Sequence, residues 1–279
     1  MHVLKKILDF YIFSNIHVAL SGFCLTKITL IQVGIHSNVT PFFVAFSIII
    51  SYNFIRFFEL KYKRLQWYKK WFFNHQKILL FLVLVSIFLL GFILVNSSFN
   101  LQSLSILFPF AFMTLFYVVP LFKTKKVEVS FRNFPFVKII SIAISWAGIT
   151  VLFPLYETGV KFTSIVYIEF FQRFLFLIAI LIPFDIRDVM IDPKSLKTLP
   201  QILGVGKSKL VGYLMLVSLI FLEFFKTENS IYFTYILIVV SLITALFLMF
   251  SSTKRTRYYT SFWVEAIPII WFGLIVLFL

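Results

Sequence analysis

Nine stretches of this chain are long enough and apolar enough to cross a lipid bilayer as helices. They cover residues 8–33, 41–60, 77–96, 101–121, 136–155, 162–184, 209–226, 231–250 and 262–279. A spanning helix needs about 20 mostly apolar residues, because the hydrocarbon core is about 30 Å thick. Only 13% of the residues are charged, half the usual share of a soluble protein. We therefore predict an all-α, polytopic integral membrane protein with nine transmembrane helices, forming a single domain over residues 1–279.

The first apolar stretch and the single cysteine argue against a cleaved signal peptide, a disulfide and a cysteine-based metal site. The segment from Ile7 to Gly34 is longer than the apolar core of a signal peptide and has no small-residue cleavage site, so we expect a first transmembrane helix. Cys24 is the only cysteine. An intrachain disulfide and a cysteine-based metal site are therefore excluded.

Basic residues lie almost entirely on one side of the predicted helices. Twenty-two of the 26 lysines and arginines precede the first span or lie in or beside the loops that follow spans 2, 4, 6 and 8. The exceptions are Lys27, Lys161, Arg173 and Lys226. Because cytoplasmic loops are enriched in Lys and Arg, we expect the N-terminus in the cytoplasm and the C-terminus outside, in the cell inner membrane. The net charge of +15 then reflects topology, and we expect no nucleic-acid partner.

The most informative polar stretch is PFDIRDVMIDPKSLKTLPQILG, residues 183–204. Asp185, Asp188 and Asp192 are spaced by three and four residues, which places them on one face of a helix. Three carboxylates on one face repel each other, and a divalent cation such as Mg²⁺ removes that repulsion when a substrate phosphate completes its ligands. Arg187 is positioned to balance phosphate charge. The alternative is an acidic loop that is solvated and neutralised by its neighbouring bases.

Three segments together resemble the UbiA superfamily of membrane prenyltransferases. Asp185, Asp188 and Asp192, followed by Thr-Leu-Pro at 198–200 and Leu-Gly at 203–204, are similar to the second aspartate-rich motif of that family. The strings YVVPLFKTKK at 117–126 and FVKIISIAISWA at 136–147 are similar to its Tyr-Pro-Lys region. The glycine that usually precedes Thr-Leu-Pro is missing here.

The resemblance implies a fold, a reaction and a cofactor. Members of the family hold a prenyl diphosphate through Asp motifs and Mg²⁺ in a cavity that opens to the cytoplasm, and transfer the isoprenyl group to a hydrophobic acceptor, often an aromatic ring. Transferred residue by residue, it makes Asp185, Asp188 and Asp192 the catalytic metal ligands. It also places Tyr117 and Lys123 beside the diphosphate.

The first motif of the family is degenerate in this chain. The corresponding segment is SYNFIRFFELK, residues 51–61, in which Asn53 matches the pattern. The three positions where the family has acids hold Phe54, Phe57 and Lys61. A metal-bound half-site is therefore not expected here.

Two interpretations of this departure stay open. In the first, Arg56, Lys61 and Arg64 bind the diphosphate directly together with Asn53, since arginine contacts phosphate through two parallel hydrogen bonds. In the second, ionisation of the diphosphate is no longer supported, and the protein is a non-catalytic member of the fold that binds a prenyl lipid or a partner.

A few charged residues fall inside or at the edge of the predicted spans. Glu169 and Arg173 are four residues apart in span 6, and we expect a buried ion pair, because an unpaired charge there costs about 2.5–3.5 kcal/mol. Glu265 is expected near the cytoplasmic end of span 9, where it can face a polar cavity. Lys138 is interpreted as an ordinary lysine at the membrane edge. A transporter that uses Glu169, Arg173 and Glu265 is a third possibility, but it should show an internal repeat.

The charge asymmetry predicts which loops an outside reagent can reach. In a Cys24→Ser background, we expect Lys125→Cys and Lys194→Cys to resist an impermeant thiol reagent added to intact cells, whereas Asn38→Cys should react. Labelling of Lys194→Cys from outside would reverse the orientation and move the aspartate motif to the other face.

Overall fold

The fold is known from a computed structural model. It describes residues 2–61, 66–118, 122–123, 128–129, 136–192, 194–226 and 230–278, with side chains described for these except at 2, 58–61, 66–67, 114–118, 122–123, 128–129 and 195. The α-helices are α1 (His2–Phe13), α2 (Ile16–Gln32), α3 (Val39–Lys61), α4 (Gln66–Asn96), α5 (Leu104–Val118), α6 (Val137–Ala147), α7 (Phe153–Glu157), α8 (Ser164–Asp188), α9 (Leu199–Glu223), α10 (Ile231–Phe250) and α11 (Ile267–Phe278). The predicted all-helical class is confirmed.

Short elements of other types join or extend these helices. Two-residue strands β1 (Phe122–Lys123) and β2 (Glu128–Val129) pair antiparallel. Single turns of 3₁₀-helix cover Leu101–Ser103 and Lys194–Leu196. Two π-helical segments, Gly148–Leu152 and Tyr259–Val264, join α6 to α7 and lead into α11.

Seven helical segments in the described part of the chain are long and apolar enough to cross a membrane. They are Val39–Phe57, Tyr68–Asn96, Val137–Glu157, Ser164–Asp188, Leu199–Glu223, Ile231–Phe250 and Tyr259–Phe278. An eighth is the pair formed by α1 and α2, which meet at a bend of 56°. The apolar helix Leu101–Met113 is shorter than a full span. The structure therefore supports a membrane protein with seven or eight candidate spans.

The bend between α1 and α2 is fixed by a left-handed residue and a histidine. Asn15 has φ of 69°, a conformation that Asn adopts more readily than most residues because its short side chain can bond locally. His17 then ties the start of α2 to two other elements. Its Nδ1 lies 2.8 Å from the Tyr11 hydroxyl, and its Nε2 lies 2.9 Å from the backbone oxygen of Phe262. The bend thereby packs against the second π-helical segment.

Helix α8 is the central element of the bundle. It packs against α6, α9 and α10, and Phe176, Ile182 and Ile186 are fully buried along it. The helix ends at Asp188. Asp192 lies in the turn that follows, where its backbone N–H still donates to the Asp188 carbonyl at 2.7 Å. The aspartate motif therefore covers the end of α8 and its exit turn.

A buried charged network lies near the other end of α8, and it corrects one predicted ion pair. Glu169 contacts Lys226, whose Nζ also lies 2.9 Å from Glu223. Arg173, which was expected to pair with Glu169, instead donates to the Leu25 carbonyl at 2.9 Å and lies over the Trp271 ring. One backbone carbonyl and an aromatic face thus stabilise the Arg173 cation, and the Glu169 carboxylate acts on it only through longer-range attraction.

This network predicts a large effect of one lysine on stability. The Lys226 side chain is only 3% exposed. In Lys226→Met, two neighbouring carboxylates lose their common cation, and breaking such a buried pair costs about 3–5 kcal/mol. We expect a clearly lower midpoint of thermal unfolding in detergent. Lys161→Met, which removes an exposed lysine on the same side of the bundle, is the matched control and should unfold like the wild type.

Candidate functional site

Four elements meet at the C-terminal end of α8. The helix itself brings Asp185 and Arg187, and its exit turn brings Asp192. The first turn of α6 approaches from one side, and the π-helical segment Tyr259–Val264 from another. Helix α3 reaches the same end of the bundle with Asn53 and Arg56. These polar groups stand out because most of the surrounding side chains are apolar.

The first and third aspartates of the motif share one cation, which is the ammonium group of Lys138. Its Nζ lies 2.7 Å from Asp185 Oδ1 and 2.9 Å from Asp192 Oδ2. The side chain of Asp185 is 5% exposed and that of Asp192 is 14% exposed. The interpretation of Lys138 as an ordinary membrane-edge lysine was therefore wrong. Its ammonium joins two carboxylates that the helical spacing had predicted to converge on a metal ion.

The second aspartate of the motif is engaged separately. Arg187 forms a two-pronged ion pair with Asp188, with Nε 2.7 Å from Oδ1 and Nη2 2.6 Å from Oδ2. The remaining guanidinium nitrogen, Nη1, donates to the hydroxyls of Thr260 and Ser261 in the π-helical segment. The pair is partly exposed, at 22% for Arg187 and 25% for Asp188. Thus Asp188 faces away from the position where Asp185 and Asp192 meet.

Among the described residues, no three side chains of His, Cys, Asp or Glu lie close enough together to hold a metal ion. The predicted site of three carboxylates therefore stays a prediction, and the structure brings together only two of its members. Asp185 and Asp192 are near one another because the exit turn continues the direction of α8 for one more turn.

Glu265 brings a fourth carboxylate to this end of the bundle. It lies just after the π-helical segment, within electrostatic range of Arg56 and Arg187. No described residue donates a hydrogen bond to its carboxylate, while its backbone oxygen accepts one from Ser21 at 2.5 Å. This placement agrees with the expectation that Glu265 faces a polar region near one end of the last span.

Asn53 is buried beside the bend between α1 and α2. Its Nδ2 donates to the carbonyls of Ser14, at 3.1 Å, and Ile49, at 2.8 Å, which fixes the orientation of the amide. Its Oδ1 is buried without a hydrogen-bond partner, as are Ser14 Oγ and Asn15 Nδ2. Such orphaned groups are rare in folded proteins and mark places where a water or a polar ligand group can bind. Asn53 thus keeps a free acceptor beside the bend between α1 and α2.

Of the three positions of α3 where the resemblance leads one to expect acids, two have described side chains, and both are exposed. Phe54 is 42% exposed and Phe57 is 62% exposed. Arg56, between them in the chain, lies 5.5 Å over the ring of Tyr68. These two positions of α3 therefore present apolar rings at the surface of the bundle.

Several predicted site groups lie outside the described residues. They are the side chains of Lys61, Tyr117 and Lys123, and the whole of Arg64. Their predicted contacts with a diphosphate stay predictions.

Sequence reasoning missed Lys138, Thr260 and Ser261 as members of this cluster. The hydroxyl pair stands out only as two small polar residues within the aromatic run YYTSFWVE. For Lys138 the signal was its place in the first turn of a helix. A cation is unfavourable there because the helix N-terminus carries partial positive charge. A lysine at such a position needs another partner, and the two carboxylates supply it.

Comparison with known proteins adds no relative to these observations. No family model, no curated protein and no solved structure matches the chain.

Proposed function

We propose that the protein is a membrane prenyltransferase of UbiA type, which transfers an isoprenyl group from a prenyl diphosphate to a hydrophobic acceptor, either aromatic or lipid. The observation that carries the proposal is the meeting of Asp185, Asp192 and Lys138 beside Arg187 and Asp188 at one end of an apolar bundle. The proposal includes nine spans around a cavity open to the cytoplasm, with the C-terminus outside. The bent α1–α2 pair and the short helix Leu101–Met113 would be the two spans beyond the seven.

The bases at this end suit a diphosphate. Arg187 offers a planar group that is already aligned for two parallel hydrogen bonds, and Asp188 occupies that position in the structure. A diphosphate oxygen pair can take the place of the Asp188 carboxylate, which is partly exposed and can be rehydrated. Lys138 and Arg56 would add further positive charge.

Charge balance argues that a cation must accompany the diphosphate. Among the described residues, Lys138 already contacts Asp185 and Asp192, and Arg187 contacts Asp188. A diphosphate would add further negative charge to a cluster that has no surplus positive charge. A divalent cation that enters with the diphosphate offsets this excess.

Two of the three aspartates are placed so that they could share one Mg²⁺ ion. This ion is held by one or two carboxylates together with substrate phosphates, and Asp185 and Asp192 already converge on a single cation. Asp188, held by Arg187, does not join them. When bound, Mg²⁺ would withdraw charge toward the leaving diphosphate.

A second candidate function is supported by the outer face of α3. Because Phe54 and Phe57 stand where the family has acids, the described side chains of α3 add no carboxylate to the cluster at the end of α8. This favours a non-catalytic protein that binds a prenyl lipid. The two functions differ in whether the bond between the prenyl carbon and the diphosphate oxygen is broken.

The deciding experiment incubates the purified protein with prenyl diphosphates of different chain length, Mg²⁺ and membrane lipid extract as the acceptor source. Release of diphosphate above a protein-free control supports the transferase. Mg²⁺-dependent thermal stabilisation by a non-hydrolysable prenyl diphosphate analogue, without release, supports the binder. Wild-type protein that shows neither would contradict both.

The diphosphate contacts predict a specific loss in one variant. Arg187→Met removes a charged hydrogen-bonding group, which is worth about 1.5–3 kcal/mol, so we expect affinity for the analogue to fall about tenfold or more. The measurement is the analogue concentration that gives half of the maximal thermal shift. Lys254→Met, at an exposed lysine in the loop before the π-helical segment, is the charge-matched control. Equal losses in both variants would mean that only net charge matters.

A further inference from the structure

The ammonium group of Lys138 occupies the place where a metal ion would touch both converging aspartates. It lies within 2.9 Å of one oxygen on Asp185 and one on Asp192. Mg²⁺ binds oxygen at about 2.0–2.1 Å, so an ion shared by these two oxygens would have to enter the space that the nitrogen fills. The ammonium and a divalent cation therefore exclude each other at this position by contact and by charge repulsion.

The place of Lys138 in its helix does not by itself favour a cation. Lys138 is the second residue of α6, where the helix dipole disfavours positive charge. Its side chain is 17% exposed, so part of its hydration is lost. Attraction to the nearly buried carboxylate of Asp185 offsets these two unfavourable contributions. Lysine also has the length and flexibility to leave the pair, since its charge lies at the end of four methylene groups.

We propose that Lys138 is a built-in cation that closes the Asp185–Asp192 position to divalent metal in the ligand-free protein. The inference rests on the proposed function in one respect, namely that an entering diphosphate is the anion that draws the ammonium away. Metal and diphosphate then bind only together, and the free protein keeps its carboxylates neutralised without a metal. Lys138 is thus a positioning residue that couples the two binding events.

The test measures divalent metal binding without any diphosphate. Mn²⁺ is the probe, because its bound and free forms are distinguished by electron paramagnetic resonance. Wild-type protein in detergent should bind Mn²⁺ only weakly. Lys138→Met leaves two carboxylates without a cation, and we expect it to bind one Mn²⁺ at least tenfold more tightly. Adding Asp185→Asn to that variant should abolish the gain, because one of the two ligands is lost.

Two further variants separate this role from a general effect of charge or folding. Lys138→Arg keeps the positive charge and should bind Mn²⁺ as weakly as the wild type. Lys254→Met removes a remote lysine and should also stay weak. Tight Mn²⁺ binding by the ligand-free wild type would overturn the inference, and this result needs no variant to fold. Folded Lys138→Met protein with unchanged Mn²⁺ affinity would overturn it as well.

The Mn²⁺-binding experiment and the diphosphate-release experiment can succeed or fail independently of each other. A wild-type protein that releases diphosphate, combined with no gain of Mn²⁺ affinity in Lys138→Met, would remove the inference and leave the transferase. The opposite combination is also informative. If Lys138→Met gains Mn²⁺ affinity but the wild type neither binds nor cleaves prenyl diphosphates, the exclusion of metal by Lys138 is supported and the proposed function is contradicted.

Discussion

Neutralisation of charge inside an apolar bundle is the constraint on which the rest of this structure depends. Helix α8 has charged residues near both ends, and each is balanced locally. Glu169 is matched by Lys226, Asp185 by Lys138, and Asp188 by Arg187. Leaving a buried charge such as that of Asp185 or Lys226 unpaired in a low-dielectric surrounding would cost several kcal/mol. The positions of α6 and of the C-terminal end of α9 relative to α8 are therefore tied to electrostatics as well as to packing.

The two ends of α8 use this constraint differently. Near its start, Lys226 and Arg173 are almost fully buried, and one backbone carbonyl and an aromatic face hold the Arg173 cation. Near its end, the Arg187–Asp188 pair is partly exposed. A buried network stabilises a fold. A partly exposed ion pair can exchange its partners for those of a ligand, which is why the C-terminal end of α8 is the functional candidate.

The candidate site also shows how one carboxylate motif can exist in two charge states. With Lys138 between Asp185 and Asp192, the pair is neutralised by the chain itself. In the proposed exchange, a ligand with several negative charges would offer Lys138 another partner and free the pair for a metal. Such an exchange needs no large movement of the backbone, because the lysine side chain alone carries the charge.

The sequence by itself determined the helical class, the location of seven spans and the polar segment at 183–204, because hydropathy and spacing are local properties. It also indicated that Asp185 and Asp192 converge, since residues seven apart lie on the same face of a helix. It did not determine which charges pair. The spacing of Glu169 and Arg173 predicted a pair that does not form. The place of Lys138 in the first turn of a helix signalled that it needs a partner, but not which one. Its two carboxylate partners are 47 and 54 residues away along the chain. Only the tertiary structure decided them, because the lowest-energy partner of a buried charge depends on which helices pack together.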